Sequence, residues 1–316
     1  ASSGGFYNNV ATQSLRFDDG SSAYLSRTLG TADNKKKWVW SGWVKRSELG
    51  GSVVRIFNAN DAGSPFEQTS LRFDSDQLRF INDVNSNADV KTSAVFRDVS
   101  AWYHIILAVD TTQGTASNRI KIYVNGNVVT DLATSTYPNE NTEMYINEAR
   151  SHTIGASVTA SQFFDGYMAE VNFVDGLSFF SDTSGTANTS FNVNSFGETK
   201  NGVWIPIKYT GSYGTNGFRL QFDQVGVGTA STSTIGADTS GNTNHFTSSG
   251  IVASDCAMPD SPENNFCTWN PLTIGAQGTL AEGNLKNTAF WSADLSGNAS
   301  TFFPESGKWY WELRVD

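Results

Sequence analysis

Apolar and polar residues alternate with a period of two along much of the chain, and Gly, Asn, Asp and Ser punctuate the alternation at short intervals. The pattern predicts strands at Ser14–Phe17, Ala23–Leu25, Lys37–Lys45, Ser52–Asn58, Thr69–Phe73 and Gln77–Asn82. In Lys37–Lys45 (KWVWSGWVK), Trp38, Trp40 and Gly42 share one face while Val39, Ser41, Trp43 and Lys45 share the other. Aromatic mass on both faces predicts a strand in the middle of a sheet. Asp74–Asp76 reads as a tight turn between two strands. Further strands are predicted at Trp102–Asp110 and Arg119–Val124, and Asn125-Gly126 turns the latter into Asn127–Thr130.

No segment of helical length carries a sustained apolar stripe, so the fold class is all-β. Many short strands without intervening helices point to an antiparallel sandwich or barrel and exclude parallel βαβ folds. Polar stretches at Ser181–Ser190 and Gly226–Asn244 read as loops or linkers. They divide the chain into a sandwich over 1–180, a β-rich extension or linker over 181–265, and the start of a second β domain over 266–316. Within the extension, Gly202–Tyr209 and Gly217–Asp223 read as strands, and Pro206 marks the first as an edge strand or bulge. Trp309–Val315 has a strand pattern with no evident partner, which sets up the expectation that the native chain continues beyond Asp316.

Charge and composition narrow the partners. A net charge of −10 and a pI of about 4.8, with Lys35–Lys37 the one basic cluster along the sequence, exclude nucleic acid and favour cations or neutral polymers such as glycans. No apolar run reaches the roughly 20 residues that span a bilayer, so no membrane insertion is expected. The N-terminus lacks a signal-peptide pattern and reads as that of a protein made in a cytoplasm. Cys256 and Cys267 form no metal-binding pattern and are expected to be free thiols.

Catalytic chemistry is sparse. Glycosidases need two carboxyl groups flanking the sugar bond. The nearest pair on a strand, Glu170 and Asp175, is five residues apart and hence on opposite faces of a regular strand. His104, His152 and His245 accompany no nucleophile or zinc motif, so the chain reads as a non-enzyme. Asp238, Asn242 and Asn244 offer oxygen ligands for calcium, although Asp, Asn and Gly are also ordinary turn residues. Asp18, Asp19 and Gly20 share that ambiguity. Trp38, Trp40, Trp43 and Trp102 are assigned to the core. Tyr137, Asn139 and Glu140, in a polar loop, are the candidate glycan-binding residues.

The segment Trp102–Asn127, WYHIILAVDTTQGTASNRIKIYVNGN, resembles the paired central strands of laminin-G-like domains. SLRFDDGSSAYL, WVWSGWVK, HTIGA and FDGYMAEVNFVDG resemble the other strands in the family's order, over about residues 10–178. The resemblance implies a concanavalin A-like jelly-roll sandwich, with His104 at a packing position. The later segments DTSGNTNHF and DSPENNF resemble proteins of marine tailed phages, and SGKWYWELRV is similar to the opening of a SPRY domain. This second resemblance implies a virion structural protein or tail-fibre or appendage adhesin, assembled in the host cytoplasm. Its implied partners are other virion proteins, copies of itself (a trimer if a fibre) and host-surface polysaccharide. A polysaccharide-degrading enzyme on the same scaffold and a free lectin are the alternatives.

Overall fold

In the computed structural model, which describes residues 5–51, 53–61, 67–274, 278–289 and 298–314, two antiparallel sheets face one another across an aromatic core. The first sheet runs in the order β1 (Leu15–Phe17), β13 (Gly166–Asp175), β3 (Lys37–Arg46), β8 (Tyr103–Asp110), β9 (Ile120–Val124) and β10 (Asn127–Val128), and β16 (Phe218–Leu220) also pairs with β13. The second runs β11 (Leu132–Thr136), β7 (Ala88–Val95), β6 (Gln77–Asn82), β5 (Gln68–Asp74), β4 (Val54–Asn60), β12 (Ser151–Ile154), β2 (Tyr24–Thr28) and β17 (Thr247–Ser249). The expected antiparallel jelly-roll sandwich is the architecture found.

Strand β3 lies between β13 and β8, as its two aromatic faces require. Trp38 and Trp40 point into the core, where Trp38 meets Phe80 at 6.1 Å and Phe173 at 6.0 Å between ring centroids. Burying each such side chain contributes about 1.5–3 kcal/mol. Gly42 is needed beside them, because a Cβ there would stand 2.7 Å from the Trp40 ring. The two turns read from sequence are present. Ser75 and Asp76 have φ of 55° and 65°, and Asn125 and Gly126 have 48° and 80°, the left-handed pairs of tight hairpins.

The outer face of the first sheet is roofed by residues C-terminal to 176. Phe179, Phe191, Phe196, Tyr209 and Tyr213 pack over Val39, Ile106 and Val174. Trp204, on β15 (Val203–Pro206), packs with Trp102 near Trp43 and Tyr167. Among the described residues strand β15 pairs only with β14 (Gly197–Lys200), consistent with Pro206 at an edge. The 181–265 segment is thus part of the sandwich: β16 extends one sheet and β17 the other.

Farther along, Asp260 clasps the roof to the sheet. Its carboxylate accepts from Lys45 Nζ at 2.8 Å, Trp102 Nε1 at 3.0 Å and the Phe266 amide at 3.2 Å. The tip between β18 (Gly278–Ala281) and β19 (Lys286–Ala289) is also tied in, since Gly283 C=O accepts from Tyr167 Oη at 2.8 Å. The predicted strand Trp309–Val315 differs: Trp309–Leu313 is exposed and outside any strand, and Val315 lies outside the described residues. A strand needs a neighbour for its backbone groups, and this segment has none among the described residues.

Candidate functional site

Roofing one sheet leaves the outer side of the other. Alternation sends Leu71, Phe73, Leu78, Phe80 and Val90 into the core, so Ser70, Arg72, Asp74, Arg79, Asp89 and Lys91 face away from it. The loop after β12 folds over the β4 side of this face, where Asn60 Oδ1 accepts from the Val158 amide at 2.9 Å and Gln162 Oε1 from Arg55 Nε at 2.8 Å. The more open part is β6–β7 with Asp74, where Asp74, Arg79, Asp89 and Lys91 are half-buried, whereas Ser70 is fully buried and Arg72 nearly so.

Register places Arg55 opposite Arg72, Arg72 opposite Arg79, and Arg79 opposite Lys91. Four cations therefore stand in one line across four strands. Like charges directly opposite one another are destabilising, so each needs compensation. Arg79 donates to Asp74 at 2.6 Å and to Asp89 at 2.8 and 2.7 Å. Lys91 lies 3.8 Å from Asp74. Arg55 is held by neutral amides, donating to Asn58 at 2.8 Å and Gln68 at 2.6 Å. Burial, and then Arg72, lowers its pKa to about 10.

Arg72 is the exception. It is 8% exposed, and its nearest carboxylate oxygen, on Asp74, is 3.6 Å away. Its Nε is buried with no hydrogen-bond partner among the described residues, and so is the Oγ of Ser70 on the same strand. Burial works to raise the Asp74 pKa, but the Arg79 hydrogen bond and the nearby Lys91 and Arg72 outweigh it and hold the carboxyl below its ordinary range. Both orphan atoms are buried, beneath a face on which half-buried Asp74, Arg79, Asp89 and Lys91 present their charged groups.

A second cluster lies at the start of the sandwich. Asp18, Asp19 and Asp165 offer oxygens within 4.8 Å of one another. Burial, then Asp19 and Asp18, pushes Asp165 up to about 8. Among the described residues this is the carboxylate group whose donor set suits a hard cation such as calcium.

A family model described as the concanavalin A-like lectin/glucanases superfamily matches residues 18–177, just over half of the 316-residue chain. The chain belongs to that superfamily. Among curated proteins, none matches the sequence. Solved structures similar to it include the native heptameric SAP-like pentraxin from Limulus polyphemus, at 16% identity, 60% coverage of this chain, 82% of that one and a TM-score of 0.40. Domains LG4-5 of the mouse laminin alpha1 chain match at 12% identity, 52% and 42% coverage and a TM-score of 0.37. Domain 4 of AbnA, a GH43 extracellular arabinanase from Geobacillus stearothermophilus solved with arabinotriose, matches at 19% identity, 45% and 62% coverage and a TM-score of 0.34. The chain spans less than half the length of the laminin structure. At such identities and scores the likeness carries no ligand across.

Within this concanavalin A-like domain, the residues singled out from sequence have other work. Asp238 accepts from the Arg219, Ser240 and Asn244 amides at 2.8–2.9 Å. Asn242 and Asn244 each spend their side-chain N–H groups on two backbone carbonyls, and Asn244 Oδ1 accepts from Arg27 at 2.5 Å. These hydrogen bonds close a loop around Asp238, Asn242 and Asn244. The carboxylates that come together are the Asp18–Asp19 pair with Asp165, a partner sequence reasoning missed. Tyr137 packs half-buried against the core. Asn139 is exposed with its amide donating to Ser86 Oγ at 3.0 Å, and exposed Glu140 lies 3.8 Å from Arg119.

The concanavalin A-like domain also relocates the strand acids. A bulge between Ala169 and Asn172, with Glu170 at φ 46°, breaks the regular alternation that the sequence reading assumed. Glu170 is buried against Arg219 at 2.6 and 3.0 Å. Asp175 accepts from Asn147 Nδ2 and from the Asn216 amide at 3.0 Å. Neither carboxylate lies on the open face. Both cysteines are free, Cys256 buried and Cys267 exposed.

Proposed function

We propose that this chain is a non-enzymatic glycan-binding module, serving as a structural or adhesin component on a phage particle. The observation that carries the glycan reading is the outer face of the second sheet, where half-buried Asp74, Arg79, Asp89 and Lys91 make up a preformed polar surface around the Arg72 guanidinium. Sugars are bound through such combinations of hydroxyl acceptors and donors on a preformed surface. Membership of the lectin/glucanase superfamily supports binding and hydrolysis alike, since fold does not fix function.

The non-enzymatic part rests on charge. A glycosidase acid must hold its proton near neutral pH. On the open face Asp74 is held below its ordinary range and shares Arg79 with Asp89. The phage assignment rests on the sequence resemblance of the second half of the chain. A glycan array probed with the full chain, followed by reducing-end assays on every glycan bound, tests the first two parts. Binding without release of reducing ends is expected; release would overturn the non-enzymatic reading, and no binding would overturn the lectin reading. Immunogold labelling of particles with antibody to the chain tests the third, and unlabelled particles would leave a free lectin.

A further inference from the structure

Along the sequence the chain has no basic cluster other than Lys35–Lys37, yet folding gathers Arg55, Arg72, Arg79 and Lys91 into one line. In a chain of net charge −10 this local reversal of sign needs an account. We infer that the line is a seat for an acidic polysaccharide, with a uronate carboxylate docking on the Arg72 guanidinium between Asp74 and Lys91. The inference rests on the glycan-binding reading and gives it a substrate class.

Three observations carry it. First, Arg72 Nε is buried without a partner among the described residues and its nearest carboxylate oxygen, on Asp74, is 3.6 Å from Nη2, while a tenth of the side chain stays exposed; a guanidinium edge matches a carboxylate. Without a ligand, such an orphan donor costs about 1–3 kcal/mol. Second, the neighbouring cations are differently placed: Arg55 is saturated by amides and Arg79 by two aspartates, so Arg72 and Lys91, each with only a long contact to Asp74 among the described residues, are the members of the line with donors to spare.

Third, the charge count selects the density of the polymer. Four cations stand against Asp74, Asp89 and Asp83, a surplus of one. That surplus matches one carboxylate per binding subsite, spaced by neutral hydroxyls that Asp74 and Asp89 can accept. A densely charged strand such as nucleic acid would meet the three aspartates and the acidic surface around them. The line runs across strands spaced about 4.8 Å apart, a track perpendicular to the sheet's own direction.

The test is calorimetric titration of the full chain with alginate, polygalacturonate and hyaluronan, each beside its carboxyl-reduced form, and with single-stranded DNA. At least one native polymer should bind about tenfold or more tighter than its reduced form, which is the worth of one charge-assisted hydrogen bond. Arg72→Gln should erase that preference without lowering the melting temperature, because it removes a buried orphan donor and costs only a 3.6 Å contact with Asp74. Lys91→Gln, at a more exposed position, should weaken it without risk to the fold. Equal binding of native and reduced polymers, or a preference that survives Arg72→Gln, overturns the acidic-sugar inference and leaves glycan binding standing. DNA binding as tight as that of the polyuronates overturns it as well. Failure of every polymer together with an empty neutral-glycan array overturns the glycan-binding reading itself.

Discussion

Trp204 donates its Nε1–H to Nδ1 of His104 at 2.8 Å, which fixes the imidazole as the Nε2–H tautomer facing Ser41 Oγ at 2.9 Å. The bond joins the roof to strand β8. A second proton on His104 would set donor against donor, in a site where burial already pushes its pKa down to about 3. His152 is held the same way, with Nε2 accepting from the Asn147 amide at 3.0 Å and burial lowering it to about 4.

Acid should therefore unfold the protein through these two rings. Unfolded histidine takes a proton near pH 6.5, while the folded state refuses it until about 4 or below, so stability is full above 6.5 and falls as the pH drops from there. The loss should be on the order of a few kcal/mol by pH 4.5. Calorimetric melting from pH 7.5 to 4.5 measures it, and His104→Gln, which keeps an acceptor for Trp204 without titrating, should flatten the slope. An unchanged slope would place the acid sensitivity elsewhere.

Asp165 acts at the other end of the scale. Its folded pKa of about 8 lies far above that of an unfolded Asp, so the folded state holds a proton the unfolded state has released. This contribution is lost as the pH rises through 8. Asp165→Asn should melt higher than the parent at pH 9 in EDTA, and millimolar calcium at pH 8 should raise the melting temperature of the parent but not of the variant. Equal responses to calcium would exclude this cluster as the cation site.

Removing Asp260 should be costly. Lys45 is 1% exposed and would be left charged and unpaired, so Asp260→Ala should lose about 3–5 kcal/mol in urea unfolding. The double variant Lys45→Met/Asp260→Leu should lose less than the single one, because the stranded charge is gone. A larger loss in the double variant would show that the pair itself stabilises the clasp.

A fragment of residues 1–180 should not behave as a soluble domain. It would uncover Val39, Ile106 and Val174 on the outer face of the first sheet, now buried under Phe191, Phe196, Tyr209 and Tyr213. Partition of the fragment into inclusion bodies, or strong dye binding by any soluble part, is expected; a monomeric fragment with cooperative melting would refute it.

The sandwich was legible where its signals are local. Asn125-Gly126 and the Asp74–Asp76 turn are set by neighbouring residues, and the alternation in Lys37–Lys45 follows from the pleat. Ala88–Val95 and Thr247–Ser249 escaped notice because they lie toward sheet edges and carry few apolar residues. The roof was unreadable because its aromatics follow no period. The line of Arg55, Arg72, Arg79 and Lys91 was hidden for a different reason: only strand register makes neighbours of residues scattered over 37 positions. Asp165 likewise meets Asp18 and Asp19 only after β1 and β13 have paired.

Glu263 holds the amide hydrogens of Asn9, Val10 and Ala11, accepting at 3.0, 2.7 and 3.0 Å. The segment leading into the first strand is thus fastened by a residue made some 250 positions later. On the ribosome the N-terminal segment emerges early and must wait for most of the chain before it can be secured. Contacts of such sequence separation make folding slow and late to become cooperative. During synthesis the apolar outer face of the first sheet should accordingly stay uncovered until Phe179–Tyr213 have emerged, the interval in which a chaperone would have the most to hold.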